Sequence, residues 1–196
     1  KVRRGNLTQS VSGSGQVSIA GVAKGAGMIA PNMATLLSVI VTDAAATPSA
    51  LRAALTSAAD RSFNSITVDG DMSTNDTLLV LANSQAGNTL LMGPQSPGYA
   101  AFLAGLTEVA AALAKMIARD GEGATKLVTI KVTGAPDFAA ARQVGLAIGN
   151  SSLVKTALYG EDANWGRVLC AAGYSGVELD PEKLSLWFDD VCLLRY

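Results

Sequence analysis

The order of hydrophobic and polar positions along the chain predicts a protein of mixed strands and helices. Residues 36–43 (LLSVIVTD) form a continuous apolar run rich in β-branched side chains, which is typical of a buried strand. Further strands are predicted at 65–70 (SITVDG), 77–83 (TLLVLAN) and 127–133 (LVTIKVT). The last residues, 184–196, predict two strands joined by an acidic turn.

Helical signals alternate with these strands. Thr47 is placed to cap a helix in which Pro48 occupies the first turn. A long amphipathic helix is predicted over 98–119, and a third helix follows Asp137 and runs to about Gly149. Because apolar runs of this kind suit sheets that are buried on both faces, the pattern predicts a layered α/β or α+β protein.

Composition and charge narrow the range of functions. The chain has 196 residues, of which 49% are hydrophobic and 16% charged, and its net charge is -1 with no run of like charge. A nucleic-acid-binding surface would need clustered Lys and Arg, so small molecules or further copies of the chain are the expected partners. The longest uncharged stretch, 25–42, contains Pro31 and Asn32 and predicts a loop before a strand, not a membrane helix. The chain opens with a Gly- and Ser-rich lead-in over 1–16, without a signal-peptide pattern, which favours the cytoplasm.

The chain contains no histidine and two cysteines, Cys170 and Cys192. A Ser-His-Asp or Cys-His arrangement therefore cannot be built from this chain alone, and two thiols do not close a zinc site. We expect both cysteines to be buried thiols. Any acid–base chemistry here needs a base other than imidazole.

Four segments are polar or glycine-rich where packing would not require it: 21–37 (GVAKGAGMIAPNMATLL), 63–77 (FNSITVDGDMSTNDT), 119–126 (RDGEGATK) and 150–167 (NSSLVKTALYGEDANWGR). The first lacks the glycine-lysine-hydroxyl ending of a phosphate-binding loop. It ends in Thr35, directly before the predicted strand. On spacing alone, Thr35 is either a β-branched residue that starts a strand or a hydroxyl that faces a pocket.

The four segments, in this order, resemble the autocleavage region and three further signatures of the ornithine acetyltransferase (glutamate N-acetyltransferase) family. The resemblance implies an N-terminal-nucleophile-like architecture, a layered sandwich with sheets buried between helices. It also implies self-cleavage between Ala34 and Thr35. Residues 1–34 would then end an α chain, and residues 35–196 would begin a β chain within one catalytic domain.

The resemblance further implies that Thr35 is the nucleophile. It would take the acetyl group of N-acetylornithine as an ester and pass it to glutamate, with no cofactor or metal. Cleavage frees the α-amine of Thr35, whose reference pKa near 8 suits a base at neutral pH. By resemblance, Lys24 would bind a substrate carboxylate and Glu122 a substrate ammonium group, and the α and β chains would associate into a higher oligomer.

Other polar residues of these segments are open to more than one interpretation. Asp69, Asp71 and Asp76 could suggest a metal site, but their spacing lacks the calcium-loop pattern, so we expect them to be hydrogen-bonded supports. Asn75 is a candidate for shaping the pocket, and Trp165 is expected in the core. Lys155, Asn164 and Arg167 receive no assigned role from sequence.

Two alternative functions remain open. The first is an amidase or aminopeptidase that cleaves itself in the same way and uses water in place of the acceptor amine. Lys24 and Glu122 argue against it, because they suit amino acids that are charged at both ends. The other alternative is an inactive fragment that binds amino acids. Members of the family are longer than this chain, and the resemblance places their oxyanion-hole pair, a Thr-Gly, before the residues seen here.

Overall fold

The computed structural model describes residues 2–10, 16–29 and 36–195, with the main chain alone described for 2–10. The chain forms two compact units, Lys1–Ala124 and Thr125–Tyr196. The sequence pattern indicated no linker at this division. The predicted boundary between Ala34 and Thr35 lies outside the described residues and stays a prediction.

The N-terminal unit contains one four-stranded sheet in the order β1-β2-β3-β4. Neighbouring strands are antiparallel except β3 and β4, which are parallel. A parallel pair needs a crossover connection, and the first helix, α1, lies in that connection. The elements are β1 (Val2–Ser10), β2 (Gln16–Lys24), β3 (Leu37–Thr42), α1 (Pro48–Asp60), β4 (Thr77–Ala82) and α2 (Tyr99–Arg119).

The core of this unit lies on one face of the sheet. Alternate residues of β2 and β3, such as Ile19 and Ile40, are fully buried among side chains of α1 and α2. The sheet and α2 approach closely at Gly21, where a β-carbon would lie 2.8 Å from Cδ1 of Leu113. Glycine is required there because any side chain would displace the helix from the strand.

The opposite face of the sheet is also apolar, but it is exposed within the described part of the chain. Val22, Val41 and Leu81 are 40%, 46% and 55% exposed. The mixed helix-and-sheet class predicted from sequence is confirmed. In the described residues, however, helices cover the four-stranded sheet on one face, whereas the apolar pattern predicted burial on both.

Helix α2 is the core helix of the N-terminal unit. By length and composition it would suit a membrane span. Its buried side chains, however, pack into the core of this unit, and Phe102, Leu106 and Ile117 are at most 1% exposed. Tyr99, in its first turn, is buried too, and this burial raises the pKa of the phenol.

The C-terminal unit packs three helices, α3 (Phe138–Asn150), α4 (Ser152–Tyr159) and α5 (Trp165–Gly173), with a hairpin of β5 (Leu186–Phe188) and β6 (Val191–Leu194). Each helix begins at a polar cap. The side chains of Asp137, Ser151 and Asn164 accept hydrogen bonds from the main chain of the first turns of α3, α4 and α5. The core consists of the buried residues Val144, Ile148, Val154, Val168, Ala171 and Ala172.

Most predicted elements are confirmed, and two predicted strands are wrong. Residues 65–70 form the end of a 3-10 turn and a loop, because their main chain bonds to the loop before residue 30 and not to a strand. Residues 127–133 are not paired as a strand, and most of them are exposed. The predicted lead-in over 1–16 is also wrong in part, since Val2–Ser10 pairs with β2 as an edge strand. Edge strands tolerate the polar residues that had suggested a loop.

Two expectations of burial are also wrong. Cys170 and Cys192 are both free and exposed. Trp165, expected in the core, is 51% exposed at the start of α5. Its position in the first turn, beside the cap Asn164, leaves the ring outside the face that packs on α3 and α4.

Candidate functional site

Three of the four polar segments meet at one end of the four-stranded sheet. Strand β2 ends at Lys24, and β3 begins at Leu37, directly opposite Lys24 in the antiparallel register. Strand β4 begins at Thr77, the partner of Leu37 in the parallel register. The loop that follows α2 joins this end through Glu122, whose N–H donates to the carbonyl of Ala26 at 2.8 Å.

Asp69 fixes the main chain just before residue 30. Its Oδ2 accepts the N–H of Met28 at 2.6 Å, and its Oδ1 accepts the N–H of Ile29 at 2.9 Å. The carbonyl of Ile29 in turn accepts the N–H of Val68 at 2.7 Å. Met28 has a φ of 55°, a left-handed conformation that is uncommon for a residue with a side chain. The carboxylate of Asp69 therefore holds this turn in an unfavourable backbone geometry.

Asp76 fixes the main chain just after residue 35. Its Oδ1 accepts the N–H of Leu36 at 2.7 Å, and the carbonyl of Leu36 accepts the N–H of Thr77 at 2.8 Å. Both main-chain polar groups of Leu36 are thus bound by two consecutive residues, Asp76 and Thr77. The expectation that Asp69 and Asp76 are hydrogen-bonded supports is confirmed by these contacts.

The loop 66–77 therefore binds the main chain at residues 28–29 and at residue 36. Asp71 contributes its main chain, whose N–H donates to Oδ1 of Asp69 at 3.1 Å. Asn75 accepts a hydrogen bond from the hydroxyl of Ser73 at 2.7 Å, which keeps the bend between the two anchors compact. Among the described residues, no group of three or more His, Cys, Asp or Glu is placed to hold a metal ion.

The carboxylate of Glu122 lies against Gly27. A β-carbon on Gly27 would lie 3.0 Å from the carboxyl carbon of Glu122, so glycine provides the space that this carboxylate occupies. The adjacent Gly121 packs as closely on the loop 66–77, since its β-carbon would lie 2.8 Å from Cγ1 of Val68. Through these two close contacts the turn after α2 packs against Gly27 and against the loop 66–77.

Lys24 and Glu122 both carry exposed side chains at this end of the sheet. Lys24 lies on the same face of β2 as the exposed Val22, and within the described part of the chain its ammonium makes no ion pair. Ala26, which binds the main chain of Glu122, follows Lys24 closely in sequence. The structure thus places both predicted substrate-binding residues at the end of the sheet where β3 begins. Ala34 and Thr35 themselves lie outside the described residues.

The fourth segment, 150–167, lies in the C-terminal unit, and its polar residues have structural contacts there. Asn164 caps α5. Nη1 of Arg167 donates to the carbonyl of Leu153 at 3.1 Å and to the hydroxyl of Thr156 at 3.2 Å, which ties α5 to α4. Sequence reasoning missed both roles, although an Asn directly before an apolar helical run is a recognisable cap signal.

Lys126 belongs to the DGEGATK signature and also has its contacts in the C-terminal unit. Its ammonium lies 3.3 Å from a carboxylate oxygen of Glu161 and donates to the carbonyl of Tyr159 at 3.0 Å. It also lies over the Tyr159 ring, 5.9 Å from the centroid. Lys126 therefore stabilises the end of α4 within its own unit.

The chain is similar to curated proteins named arginine biosynthesis bifunctional protein ArgJ. It is 56% identical over 183 residues to the protein of Symbiobacterium thermophilum, an overlap that covers 93% of this chain and 45% of that protein. It is 54% identical over 178 residues to the Geobacter sulfurreducens protein, covering 91% of this chain and 45% of that protein. A relative from the fungus Fusarium vanettenii, named as mitochondrial, is 61% identical over 157 residues, covering 80% of this chain and 35% of the relative.

The fold is similar to a solved structure as well. The crystal structure of arginine biosynthesis bifunctional protein ArgJ from Bacillus halodurans matches with a TM-score of 0.75 and 46% identity, over 78% of this chain and 71% of that one. The chain spans less than half the length of the bacterial curated relatives. Because fungal relatives are named as mitochondrial, the cytoplasmic localisation stays a prediction.

The family match extends over nearly the whole sequence. Residues 2–196 match the ArgJ family, and this range contains all four of the polar segments, including the two aspartate anchors. The chain therefore belongs to the ArgJ family.

Proposed function

We propose that this chain forms part of an acyltransferase of arginine biosynthesis that moves an acetyl group from N-acetylornithine to glutamate. The protein cuts its own chain between Ala34 and Thr35, and Thr35 then carries the acetyl group as an ester between the two substrates. The names of the curated relatives support the pathway, and the resemblance of the four segments supports the reaction.

The observation that carries the proposal is that one loop, 66–77, binds the main chain both before residue 30 and after residue 35. Asp69 holds Met28 and Ile29, and Asp76 holds Leu36. A self-cleaving bond and a nucleophile both need main-chain atoms held in a reactive geometry, because small displacements reduce the rate steeply. Asp69 binds two consecutive main-chain N–H groups on one side of residues 30–35, and Asp76 binds one on the other side.

The absence of histidine from the chain is consistent with this mechanism. As the hydroxyl oxygen of Thr35 bonds to the acetyl carbon, the hydroxyl proton passes to the α-amine of the same residue. That proton then goes to the nitrogen of ornithine as the amide bond breaks. The amino group of glutamate attacks the ester in the second step, which releases N-acetylglutamate and restores the hydroxyl.

Lys24 and Glu122 supply opposite charges at the same end of the sheet. Lys24 binds the α-carboxylate that both amino acids share, and Glu122 binds an ammonium group of the substrate. A site with one charge of each sign suits substrates that are charged at both ends. This favours transfer between amino acids over simple hydrolysis of an amide.

The test is an assay of transfer with the protein expressed from its complete coding sequence. N-acetylornithine and glutamate should yield N-acetylglutamate with ping-pong kinetics, and Thr35→Ala should reduce the rate by at least about 10³-fold, as for loss of a nucleophile. Thr35→Ser, which keeps a hydroxyl, is the matched control and should retain measurable transfer. Acetate release that is independent of glutamate would instead support the amidase. Transfer by Thr35→Ala at the wild-type rate would exclude Thr35 as the nucleophile.

A further inference from the structure

Residues 127–133 (LVTIKVT) form a straight, apolar stretch of chain that has no neighbouring strand. The stretch contains no helix, turn or bend, and six of its seven residues are exposed. Leu127, Val128 and Ile130 are 42%, 46% and 37% exposed. Their β-branched and apolar composition is typical of a strand, but in the described part of the chain no strand pairs with them.

One face of this stretch already packs as a strand packs on a helix. A β-carbon on Gly145, in α3, would lie 3.8 Å from Cγ2 of Val132 and 4.0 Å from Cγ2 of Ile130. These two residues are two positions apart, so they lie on the same face of an extended chain. Val132 also packs against the buried core of the C-terminal unit. The stretch is therefore held against α3 by alternate side chains.

The main chain of the same stretch is unused. Among the described residues, the N–H and carbonyl groups of 127–133 make no hydrogen bond. In an extended chain these groups point sideways, at right angles to the side chains, so a helix under one face does not cover them. An open edge of this kind is a template for another strand, and native proteins normally cover it.

The other strands of the C-terminal unit also form an incomplete layer. Leu186 and Phe188 of β5 pack against the same core as Val132. On the hairpin of β5 and β6, Trp187 and Val191 are 49% and 57% exposed. A two-stranded hairpin is marginal by itself, and stable sheets usually have three or more strands. The strand layer over this core therefore has room for further strands.

We propose that residues 127–133 bind a β-strand of the same protein that is encoded outside residues 1–196. The partner is a strand because only an extended chain has free N–H and carbonyl groups to pair along an open edge. The chain overlaps 45% of each of two bacterial relatives, so more than half of each relative lies outside the overlap. Unpaired in this chain, the stretch becomes a strand in the complete protein.

The position of the stretch also sets the character of its partner. The added strand extends the layer over the helices, so the side chains on one of its faces meet the core and those on the other do not. Alternate residues of the partner should therefore be apolar. The inference is independent of the proposed reaction, since it uses only the packing of the C-terminal unit and the length of the relatives.

The first test is amide hydrogen exchange, resolved by residue, in the wild-type protein made from its complete coding sequence. Successive N–H groups point to opposite edges of a strand, so at least one alternate set, Val128, Ile130 and Val132 or Thr129, Lys131 and Thr133, should be protected. We expect exchange in that set to be at least about 100-fold slower than in an unstructured chain. Exchange of the whole stretch at the unstructured rate would overturn the inference.

Two proline substitutions form a matched pair for the second test. Val128 and Thr129 are adjacent and exposed, and their N–H groups face opposite edges. Proline removes the N–H and is tolerated only where that edge is open. At least one of Val128→Pro and Thr129→Pro should lower the melting temperature of the complete protein by about 5 °C or more. Wild-type melting temperatures in both variants would count against a bound strand, and if neither variant folds, the exchange measurement on the wild type decides.

A crystal structure of the complete protein identifies the partner. Pairing of 127–133 with a strand encoded outside residues 1–196 of the same protein would support the inference. Pairing with a second copy of this stretch, or a stretch that remains unpaired, would overturn it. None of these measurements requires acetyl transfer, so failure of the proposed function would leave their results unchanged.

Discussion

The carboxylate of Glu122 occupies the space that a side chain on Gly27 would fill. A β-carbon on Gly27 would lie 3.0 Å from Cδ of Glu122 and 3.1 and 3.2 Å from its two oxygens. The main chains of the two loops are joined alongside, because the N–H of Glu122 donates to the carbonyl of Ala26 at 2.8 Å. The position of this carboxylate is therefore set by a glycine on a neighbouring loop.

Replacement of Gly27 should displace Glu122 and weaken substrate binding. Gly27→Ala keeps the carboxylate of Glu122 but displaces it by a few tenths of an ångström. The KM for the amino-acid substrates should therefore rise several-fold. Glu122→Gln removes the charge and should raise KM by about 10-fold, the scale of a charge-assisted hydrogen bond. Steady-state kinetics of acetyl transfer measure both effects.

Gly93→Ala is the matched control for Gly27→Ala, because a β-carbon on Gly93 would meet nothing within 4 Å. Its KM should equal that of the wild type. Equal KM values for Gly27→Ala and Gly93→Ala would show that the position of Glu122 does not matter for binding.

Gly121 should tolerate alanine poorly, and a second substitution should reverse the damage. Its β-carbon would lie 2.8 Å from Cγ1 and 3.1 Å from Cγ2 of Val68, and 3.2 Å from the carbonyl oxygen of Ala118. We expect Gly121→Ala to lower the free energy of unfolding by about 1–3 kcal/mol, the usual cost of overpacking. Urea denaturation measures this change.

Val68→Ala removes both γ-carbons that the new methyl group would meet. The double variant Gly121→Ala with Val68→Ala should therefore be more stable than the sum of the two single changes predicts. Strictly additive losses would mean that the carbonyl of Ala118, and not Val68, is the obstacle.

Asp69→Asn should loosen the main chain before residue 30 and slow self-cleavage. Asp69 accepts three main-chain N–H groups, those of Met28, Ile29 and Asp71, and an asparagine can present only one oxygen to them. Hydrogen exchange at Met28 and Ile29 should become faster. The cut form should appear about 10-fold or more slowly, since misplacement of reacting groups is costly.

Asp71→Asn is the comparison for this substitution. It leaves the main-chain N–H of Asp71 in place and should affect neither the exchange rates nor the rate of cutting. Faster exchange in Asp69→Asn without slower cutting would mean that Asp69 supports the fold but not the cleavage.

Tyr99 should make the N-terminal unit sensitive to alkaline conditions. Burial raises the pKa of its phenol above the ordinary value of 10.0. Above about pH 10 the unfolded chain releases this proton while the folded chain keeps it, so folding stability should fall as pH rises through that range. Tyr99→Phe should reduce the slope of unfolding free energy against pH above about pH 10.

Local sequence signals predicted much of the fold because the interactions that form those elements are local. Thr47 does accept the N–H of Ala50, and Pro48 does open α1. Asp137 caps α3, and α2 ends at Arg119, the predicted end of that helix. In each case the capping contact lies within a few residues of the helix that it begins or ends.

The errors arose where partners lie far apart in the chain. Residues 65–70 have the composition of a strand, but the carboxylate of Asp69 and the N–H of Val68 bond to main chain about 40 positions earlier. Helices α4 and α5 were missed because their caps, Ser151 and Asn164, fall inside a segment whose polar residues suggested chemistry. Pattern alone does not show which distant main chain a carboxylate will bind.

The roles of Lys24, Thr35 and Glu122 came from resemblance and stay predictions. The structure places Lys24 and Glu122 at the end of the sheet where β3 begins. The spacing of Asp69 and Asp76 did not show that Asp69 binds main chain before residue 30 and that Asp76 binds main chain after residue 35. This arrangement became visible only with the hydrogen bonds.

The central claim is that cleavage gives Thr35 the α-amine that acts in place of histidine. Intact-mass spectrometry of an actively transferring preparation, made from the complete coding sequence, tests it most directly. We predict two chains, with one new end at Ala34 and the other at Thr35, and a single uncut chain for Thr35→Ala. A preparation that transfers acetyl groups at full rate while Ala34 and Thr35 remain joined would contradict the account.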